Sequence, residues 1–224
     1  DAMNNQKEVK EILRDYLKRS VTTTKTDDFY LVKVHERSAK LFQRIVGTVS
    51  DFVEDVGDNL EVAKKLSTVA ADMGGTAYAH TSSAHQEYIA LYTACVVYAD
   101  DVGSRHFEAL AQFSHRFSTG EEHPFPVLNV LASLMKQSYD LWPKMGADAI
   151  VSSTLMGIAA RHLECTSNDM TIIRQATWWP NYFRNRTGFA TAYAHFNFMK
   201  SWRSTPDSYM QSLPYLEFFI NSCK

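Results

Sequence analysis

The sequence predicts an all-α fold, a single bundle of helices. Apolar residues recur at helical spacing in almost every part of the chain, whereas the alternation typical of strands is nearly absent. Glycine and proline fall between these segments and mostly stay out of their interiors, as helix ends require. One segment, residues 88–99, carries no charge, which is typical of a helix that is buried on every side.

The pattern divides the chain into two groups of helices within one domain, residues 1–224. Three apolar stripes predict N-terminal helices within residues 1–80: Val9, Ile12, Leu13, Tyr16 and Leu17; Val34, Leu41, Phe42, Ile45 and Val49; Val62, Leu66, Val69 and Ala70. Gly- and Pro-rich breaks divide the rest of the chain, and the first of them is Gly74-Gly75. Within residues 81–224 these breaks predict helices at about 83–102, 104–118, 125–140, 146–164, 169–179, 189–201 and 207–223. Ser167-Asn168-Asp169 has the residue types of an N-terminal cap for the segment 169–179.

Composition narrows the class of protein. The net charge of -2 over 224 residues gives no support for nucleic-acid binding, which usually requires a basic surface. Cys95, Cys165 and Cys223 are widely spaced and odd in number. They predict neither a zinc site nor a disulfide framework, and they favour a reducing, cytoplasmic location. No signal-peptide core opens the sequence, and its longest uncharged stretch is too short to span a bilayer.

Asp100 and Asp101 end the uncharged segment and are the first candidate site. Two carboxylates at the C-terminal end of a helix face the negative pole of its dipole. They also repel each other and lose hydration when buried, which raises the pKa of at least one of them. A hard divalent cation with oxygen ligands is the simplest group that would stabilise the pair. The pair therefore predicts a metal site, and the alternative of an exposed helix end stays open.

A second polar cluster, residues 183–190, is predicted to lie between a helix that ends near Pro180 and one that begins near Gly188. Arg184 carries a rigid fork of donors that suits phosphate oxygens, and a helix break frees backbone groups that can respond to an anion. The alternative that Arg184 is a surface arginine paired with a carboxylate such as Glu164 stays open. Aromatic residues crowd this region and could stabilise a cation or simply form core: Trp178, Trp179, Tyr182, Phe183, Phe189, Tyr193, Phe196 and Phe198.

These motifs resemble those of the class I terpene synthases, in particular the fungal trichodiene-synthase-like group. Residues 96–101 (Val-Val-Tyr-Ala-Asp-Asp) are similar to the aspartate-rich motif of that family. Residues 184–188 (Arg-Asn-Arg-Thr-Gly) are similar to its diphosphate-sensing helix break. The resemblance runs from about residue 85 to 224, and the family's second metal motif should begin about where this chain ends. We therefore expect a class I terpenoid synthase helical bundle that lacks its C-terminal part.

The resemblance implies a function and roles for individual residues. A sesquiterpene synthase of this kind would use Mg²⁺, or Mn²⁺, to ionise farnesyl diphosphate and cyclise the resulting carbocation. Asp100 would bind the metal with support from Asp101, and Arg184 would bind the diphosphate. The break at Thr187 and Gly188 would shift to help expel the leaving group. The remaining substrate-binding residues would be Tyr92, Val96, Phe189 and Tyr193.

The sequence departs from the family pattern, and other functions stay open. Val102-Gly103-Ser104 follows the acidic pair, so the third acidic residue of the motif is absent. This departure favours a non-catalytic helical protein that keeps the bundle for binding or scaffolding. An enzyme that elongates prenyl chains is a third alternative, but it would require a full Asp-Asp-x-x-Asp motif. An exposed apolar helix face would favour a homodimer.

Overall fold

The computed structural model describes residues 28–54, 59–201 and 209–223, and all regular structure within these ranges is helical. This confirms the predicted all-α class. The chain divides into two units, residues 1–37 and 38–224. In the first unit the structure describes only the start of one helix, and the apolar stripe predicted from Val9 to Leu17 lies outside the described residues.

Short connections join the described helices as far as residue 166, whereas residues 167–178 form a longer connection without a helix. A π-helical turn, Met73–Ala77, follows the second α-helix, and a 3-10 turn, Gly103–Arg105, follows the third. Another 3-10 turn, Met210–Ser212, precedes the last described helix. The α-helices are α1 (Asp28–Phe52), α2 (Asn59–Asp72), α3 (Ser83–Val102), α4 (Phe107–Thr119), α5 (Pro126–Leu141), α6 (Lys144–Thr166), α7 (Trp179–Thr187), α8 (Ala190–His195) and α9 (Leu213–Ser222).

Helix α3 is the central element of the second unit and has the predicted bounds, 83–102. It packs against α2 and α5, while α6 contacts α4, α5, α7 and α8. Ile89 and Tyr92 are fully buried. Burial of a large apolar side chain stabilises the fold by about 1.5–3 kcal/mol, so packing rather than intrinsic propensity holds α3 in place.

A cluster of aromatic side chains joins α3 to the C-terminal helices. The rings of Tyr88, Tyr92 and Trp142 surround Phe196, with centroid separations of 5.8, 5.1 and 5.2 Å. The indole Nε1 of Trp142 donates a hydrogen bond to the carbonyl oxygen of Phe196 at 3.3 Å. The Tyr88 and Tyr92 rings meet Phe196 edge-on and the Trp142 ring meets it at a tilt, and such contacts add to the free energy of burial.

Several helix ends fall where glycine and proline predicted them. Helix α4 ends at Gly120, whose φ of 76° is left-handed and whose N–H donates to the carbonyl of Arg116. Pro126 occupies the first turn of α5, where its missing N–H costs nothing. The predicted break at Gly74-Gly75 is a continuation instead, because both glycines lie in the π-helical turn after α2.

The prediction of a helix at 169–179 is wrong. These residues form turns and irregular structure, so Asn168 and Asp169 cap no helix. Thr171, Ile172 and Ile173 are β-branched, which lowers helix propensity, and Ile173 is 65% exposed. No buried face compensates for that low propensity. The next helix, α7, begins only at Trp179.

Two further helices are shorter than predicted. The segment 189–201 is helical only at Ala190–His195 and continues in turns. The segment 207–223 is described from residue 209, and its helix begins at Leu213. Among the described residues, no helix has both the length and the apolarity that crossing a bilayer would take.

Candidate active site

A cavity of about 690 Å³ opens in the second unit between the π-helical turn, α3, the α7–α8 junction and α9. It brings the end of α3 and the α7–α8 junction to one site, although about 85 residues of sequence separate them. Its lining is mostly apolar or aromatic: Val69, Asp72, Met73, Thr76, Ala77, Tyr78, Thr93, Val96, Val97, Asp100, Thr187, Phe189, Tyr193, Asn197, Leu216, Phe219, Ile220 and Cys223.

The two carboxylates that end α3 have different surroundings. Asp100 lines the cavity, with its side chain 58% exposed. Asp101 does not line it. Burial, together with the neighbouring Asp100 carboxylate, raises the pKa of Asp101 above its ordinary value, and the charge of Arg161 opposes that rise. The expected repulsion within the pair is therefore present at Asp101.

Arg161, on α6, is a residue of this site that the sequence pattern missed. Its Nε lies 3.1 Å from Oδ1 of Asp100, and its Nη2 donates to the carbonyl oxygen of the same residue. Its Nη1 donates to the carboxylate of Glu164, one turn further along α6. Arg161 thus offsets the Asp100 charge and satisfies one of the free carbonyls at the end of α3.

The end of α3 offers two carboxylates, Asp100 and Asp101, as ligands for a hard cation. Within the described residues, no three His, Cys, Asp or Glu side chains converge in a way that could hold a metal ion. Asp100 and Asp101 offer two carboxylates, and the raised pKa of Asp101 indicates that a nearby positive charge would stabilise its ionised form. Mg²⁺ is commonly bound through one or two carboxylates plus water and substrate phosphates, so the pair fits such an ion.

The second polar cluster lies in a different element from the one predicted. Residues 183–187 belong to α7 (Trp179–Thr187), rather than to a loop between helices. Pro180 is tolerated inside α7 because it lies in its first turn. The chain reverses at Phe189, whose φ of 50° is left-handed, while Gly188 keeps a helical conformation. The break is therefore real but lies one residue later than expected.

Arg184 faces α9 and has an unused donor. Its Nε donates to the carbonyl oxygen of Asn221 at 2.9 Å, and its Nη2 is buried with no hydrogen-bond partner among the described residues. Of the alternative that Arg184 pairs with a carboxylate such as Glu164, the structure shows no Arg184–Glu164 ion pair: Glu164 pairs with Arg161, and Nε of Arg184 bonds to a backbone carbonyl. Buried donors are nearly always paired in native proteins, so this nitrogen is available to an acceptor from outside the described residues.

The predicted substrate-contacting residues divide between the cavity wall and the core behind it. Val96, Phe189 and Tyr193 line the cavity. Tyr92 does not, and its predicted contact with substrate is corrected: the side chain is 0% exposed and its hydroxyl lies 2.8 Å from that of Thr154. Its ring packs edge-on against Phe189 and Tyr193, so Tyr92 supports the wall from behind.

The aromatic residues after position 177 also have separate roles. Phe196 belongs to the core, which is one of the two roles considered for these residues, and Phe189 and Tyr193 line the cavity. Trp178 and Tyr182 are exposed, and the guanidinium carbon of Arg186 lies 3.7 Å from the centre of the Tyr182 ring. Only part of the aromatic stretch can therefore contact a ligand in the cavity.

Helix α9 supplies one wall of the cavity and an exposed outer face. Phe219 and Ile220 line the cavity, whereas Tyr215 and Phe218 are 78% and 75% exposed. Helix α9 therefore carries large apolar side chains both on the cavity wall and on its exposed face.

Comparison with curated proteins finds fungal terpene synthases that are similar to this chain. The chain is 30% identical over 163 residues to terpene synthase BipA of Cochliobolus sativus, which covers 72% of this chain and 50% of the relative. It is 28% identical over 225 residues to alpha-cuprenene synthase COP6 of Coprinopsis cinerea, covering 97% of this chain and 65% of the relative. It is 31% identical over 150 residues to terpene synthase 29 of Postia placenta, covering 66% of this chain and 44% of the relative.

The chain thus spans between 44% and 65% of the length of these relatives. No protein-family model matches it. The chain is therefore similar to three fungal terpene synthases over between 150 and 225 aligned residues.

Proposed function

We propose that the protein is a divalent-metal-dependent terpene cyclase that acts on a prenyl diphosphate, with farnesyl diphosphate as the first candidate and a sesquiterpene as product. One observation carries the proposal. Asp100, at the end of α3, lines the same cavity as Thr187 and Phe189 of the α7–α8 junction. Two motifs that suit a metal and a diphosphate therefore meet at one cavity.

The polar end of the site would bind the diphosphate. Asp100, supported by Asp101, would hold Mg²⁺ or Mn²⁺, which neutralises the diphosphate and makes it a better leaving group. Arg184 would donate its unpaired Nη2 to a diphosphate oxygen. Thr187 and Gly188 end α7, so a shift of this junction would turn a backbone carbonyl toward the substrate.

The apolar end of the cavity would hold the prenyl chain. Val96, Phe189 and Tyr193 provide wall contacts, and a volume of about 690 Å³ is within the range of small-molecule sites, about 300–1,000 Å³. Ionisation breaks the bond between C1 and the diphosphate oxygen, and the electron pair leaves with the oxygen. The aromatic faces then stabilise the carbocation and exclude water until proton loss or water capture ends the reaction.

The decisive experiment is incubation of the native protein with farnesyl diphosphate, with and without Mg²⁺, followed by mass spectrometry of the hydrocarbon extract. We expect a cyclic sesquiterpene only when the metal is present. A product from geranyl or geranylgeranyl diphosphate instead would change the substrate but keep the reaction class. No product from any of the three would reject the proposal and favour a non-catalytic binding protein.

Substitution of Arg184 tests the diphosphate end separately. Arg184→Lys keeps the charge but removes the planar fork of donors. We expect a loss of kcat/KM of at least about 10-fold, the equivalent of one charge-assisted hydrogen bond. Arg186→Lys is the matched control, because Arg186 lies over the Tyr182 ring on the surface. Equal, unaltered rates in both variants would remove Arg184 from the site.

A further inference from the structure

Asn221, near the end of α9, contacts three residues of the α7–α8 junction at once. Its carbonyl oxygen accepts the hydrogen bond from Nε of Arg184 at 2.9 Å. Its side-chain Nδ2 donates to Oδ1 of Asn185 at 3.2 Å. Its Oδ1 lies 2.2 Å from where a Cβ on Gly188 would be. The backbone of Asn221 is therefore bonded to Arg184 of the proposed diphosphate site, while its side chain is bonded to Asn185 and packed against Gly188.

The space for this contact exists only because residue 188 is glycine. A methyl group there would overlap Oδ1 of Asn221 and lie 3.0 Å from the carbonyl oxygen of Arg184. Gly188 has an ordinary helical φ of -77°, so backbone conformation does not require glycine at this position. The close approach of Asn221 is the physical reason for it.

The contact also contains two unsatisfied polar atoms. Nη2 of Arg184 and Oδ1 of Asn221 are both buried without a hydrogen-bond partner among the described residues. Each of these atoms has lost its hydration without gaining a partner, which destabilises the junction. An anion that accepted a hydrogen bond from Nη2 would remove one of these costs, so the junction gains stability when such an anion binds.

We propose that Asn221 is a positioning residue for the diphosphate site: it holds Arg184, Asn185 and Gly188 in register and couples anion binding at Arg184 to the end of α9. The inference rests on the proposed role of Arg184 in binding diphosphate. Since Ile220 and Cys223 line the cavity on either side of Asn221, movement of this residue would also move the cavity wall.

The test is calorimetric titration of the native protein and its variants with inorganic pyrophosphate in the presence of Mg²⁺. Asn221→Ala removes the bond to Asn185 and the contact with Gly188, and we expect the Kd for pyrophosphate to rise about 5-fold, the equivalent of one net hydrogen bond. Ser222→Ala is the matched control. Its hydroxyl is exposed and bonds to the carbonyl of Phe218, so we expect an unchanged Kd.

A double-substitution cycle then separates positioning from general stability. Gly188→Ala alone places a methyl group against Oδ1 of Asn221 and should weaken pyrophosphate binding. In the Asn221→Ala background that overlap is absent, so the same substitution should weaken binding less. Non-additive effects on the Kd support coupling between the two residues, and additive effects overturn it.

Two controls keep the outcomes distinguishable. If Arg184→Ala leaves pyrophosphate binding unaltered, the proposed diphosphate site itself fails. If Arg184→Ala weakens binding and Asn221→Ala does not, only the role of Asn221 is overturned. Should Asn221→Ala lack a cooperative thermal transition, Asn185→Ala removes the same side-chain hydrogen bond from its exposed partner, and an unchanged Kd in that variant overturns the inference equally.

Discussion

Arg161 holds Asp100 by two of its nitrogens. Nε lies 3.1 Å from the carboxylate oxygen Oδ1, and Nη2 donates to the carbonyl oxygen of the same residue. The side chain of Arg161 is partly buried, so this ion pair is screened less than one on the open surface. A cation that bound to Asp100 would therefore compete with a positive charge already in contact with the carboxylate.

Substitution of Arg161 should strengthen metal binding while it weakens the fold. For Arg161→Gln we expect the Mg²⁺ concentration at the midpoint of a thermal-shift titration to fall about 3- to 10-fold, because the competing charge is lost. The free energy of unfolding without metal should fall by about 1–2 kcal/mol, since a carbonyl at the end of α3 loses its partner.

Arg105→Gln is the matched control for that substitution. Arg105 is exposed in the 3-10 turn directly after α3, and the change removes the same charge near the same helix end. If both variants shift the Mg²⁺ midpoint equally, the effect is one of net charge. If neither does, Arg161 does not compete with the metal.

The two aspartates should differ in their effect on activity. Asp100→Asn removes a carboxylate that lines the cavity, and we expect kcat/KM to fall at least about 100-fold, with only a small fall in the thermal midpoint from loss of the ion pair with Arg161. Asp101→Asn alters a carboxylate outside the lining, so its loss of activity should be smaller. Measurement at several Mg²⁺ concentrations separates metal affinity from turnover. Equal losses in both variants would contradict the distinction drawn from the cavity.

Local patterns in the sequence were sufficient for the helical class and for most helix ends. The uncharged segment before Asp100 predicted the bounds of α3, since a helix buried on every side leaves a clear compositional signal. The signal failed at 169–179, where apolar residues occur but Ile172 and Ile173 are exposed. Propensity and periodicity do not state whether a partner surface is present, so such a segment cannot be assigned from its own residues.

The polar contacts of the site could not be predicted, because they join residues distant in sequence. Arg161 and Asp100 are 61 positions apart, and Arg184 and Asn221 are 37 apart. Tyr92, which the family resemblance placed among the substrate-binding residues with Val96, is buried instead, because the packing of α6 brings Thr154 to its hydroxyl. Tertiary packing, rather than local pattern, decides which face of α3 meets a ligand.

Gly157 should be indispensable for the position of Phe189. A Cβ on Gly157 would lie 2.3 Å from Cε1 of the Phe189 ring, which lines the cavity. Gly157→Ala should therefore lower the free energy of unfolding by about 1–3 kcal/mol, measured by chemical denaturation. Adding Phe189→Leu, which replaces the aromatic ring with a smaller side chain, should recover part of that loss.

Gly47→Ala is the control for this prediction. A Cβ at Gly47, within α1, would meet no atom of the described residues within 4 Å, so the substitution should leave stability unchanged or raise it by about 0.4–1 kcal/mol. If Gly157→Ala behaved in the same way, Phe189 would have room to move, and the cavity wall would be less rigid than the packing indicates.

Stability at acid pH should depend on His195, which lies in α8. The side chain is 5% exposed, and burial lowers the pKa of His195 to about 4. In the unfolded chain a histidine has a pKa of about 6.5, so between these values the unfolded state binds a proton that the folded state does not. The contribution is complete above pH 6.5 and is lost as the pH falls toward 4.

We therefore expect His195→Gln, which cannot titrate, to lose less stability between pH 7 and pH 4.5 than the unsubstituted protein, by on the order of 2 kcal/mol. Urea unfolding at a series of pH values measures the difference, and groups that titrate in both proteins cancel. His115→Gln, at an exposed position on α4, is the control and should keep the original pH dependence. Parallel curves of unfolding free energy against pH for the two proteins would mean that His195 becomes protonated in the folded state. That protonation would require an acceptor for its Nδ1, and the described residues supply none.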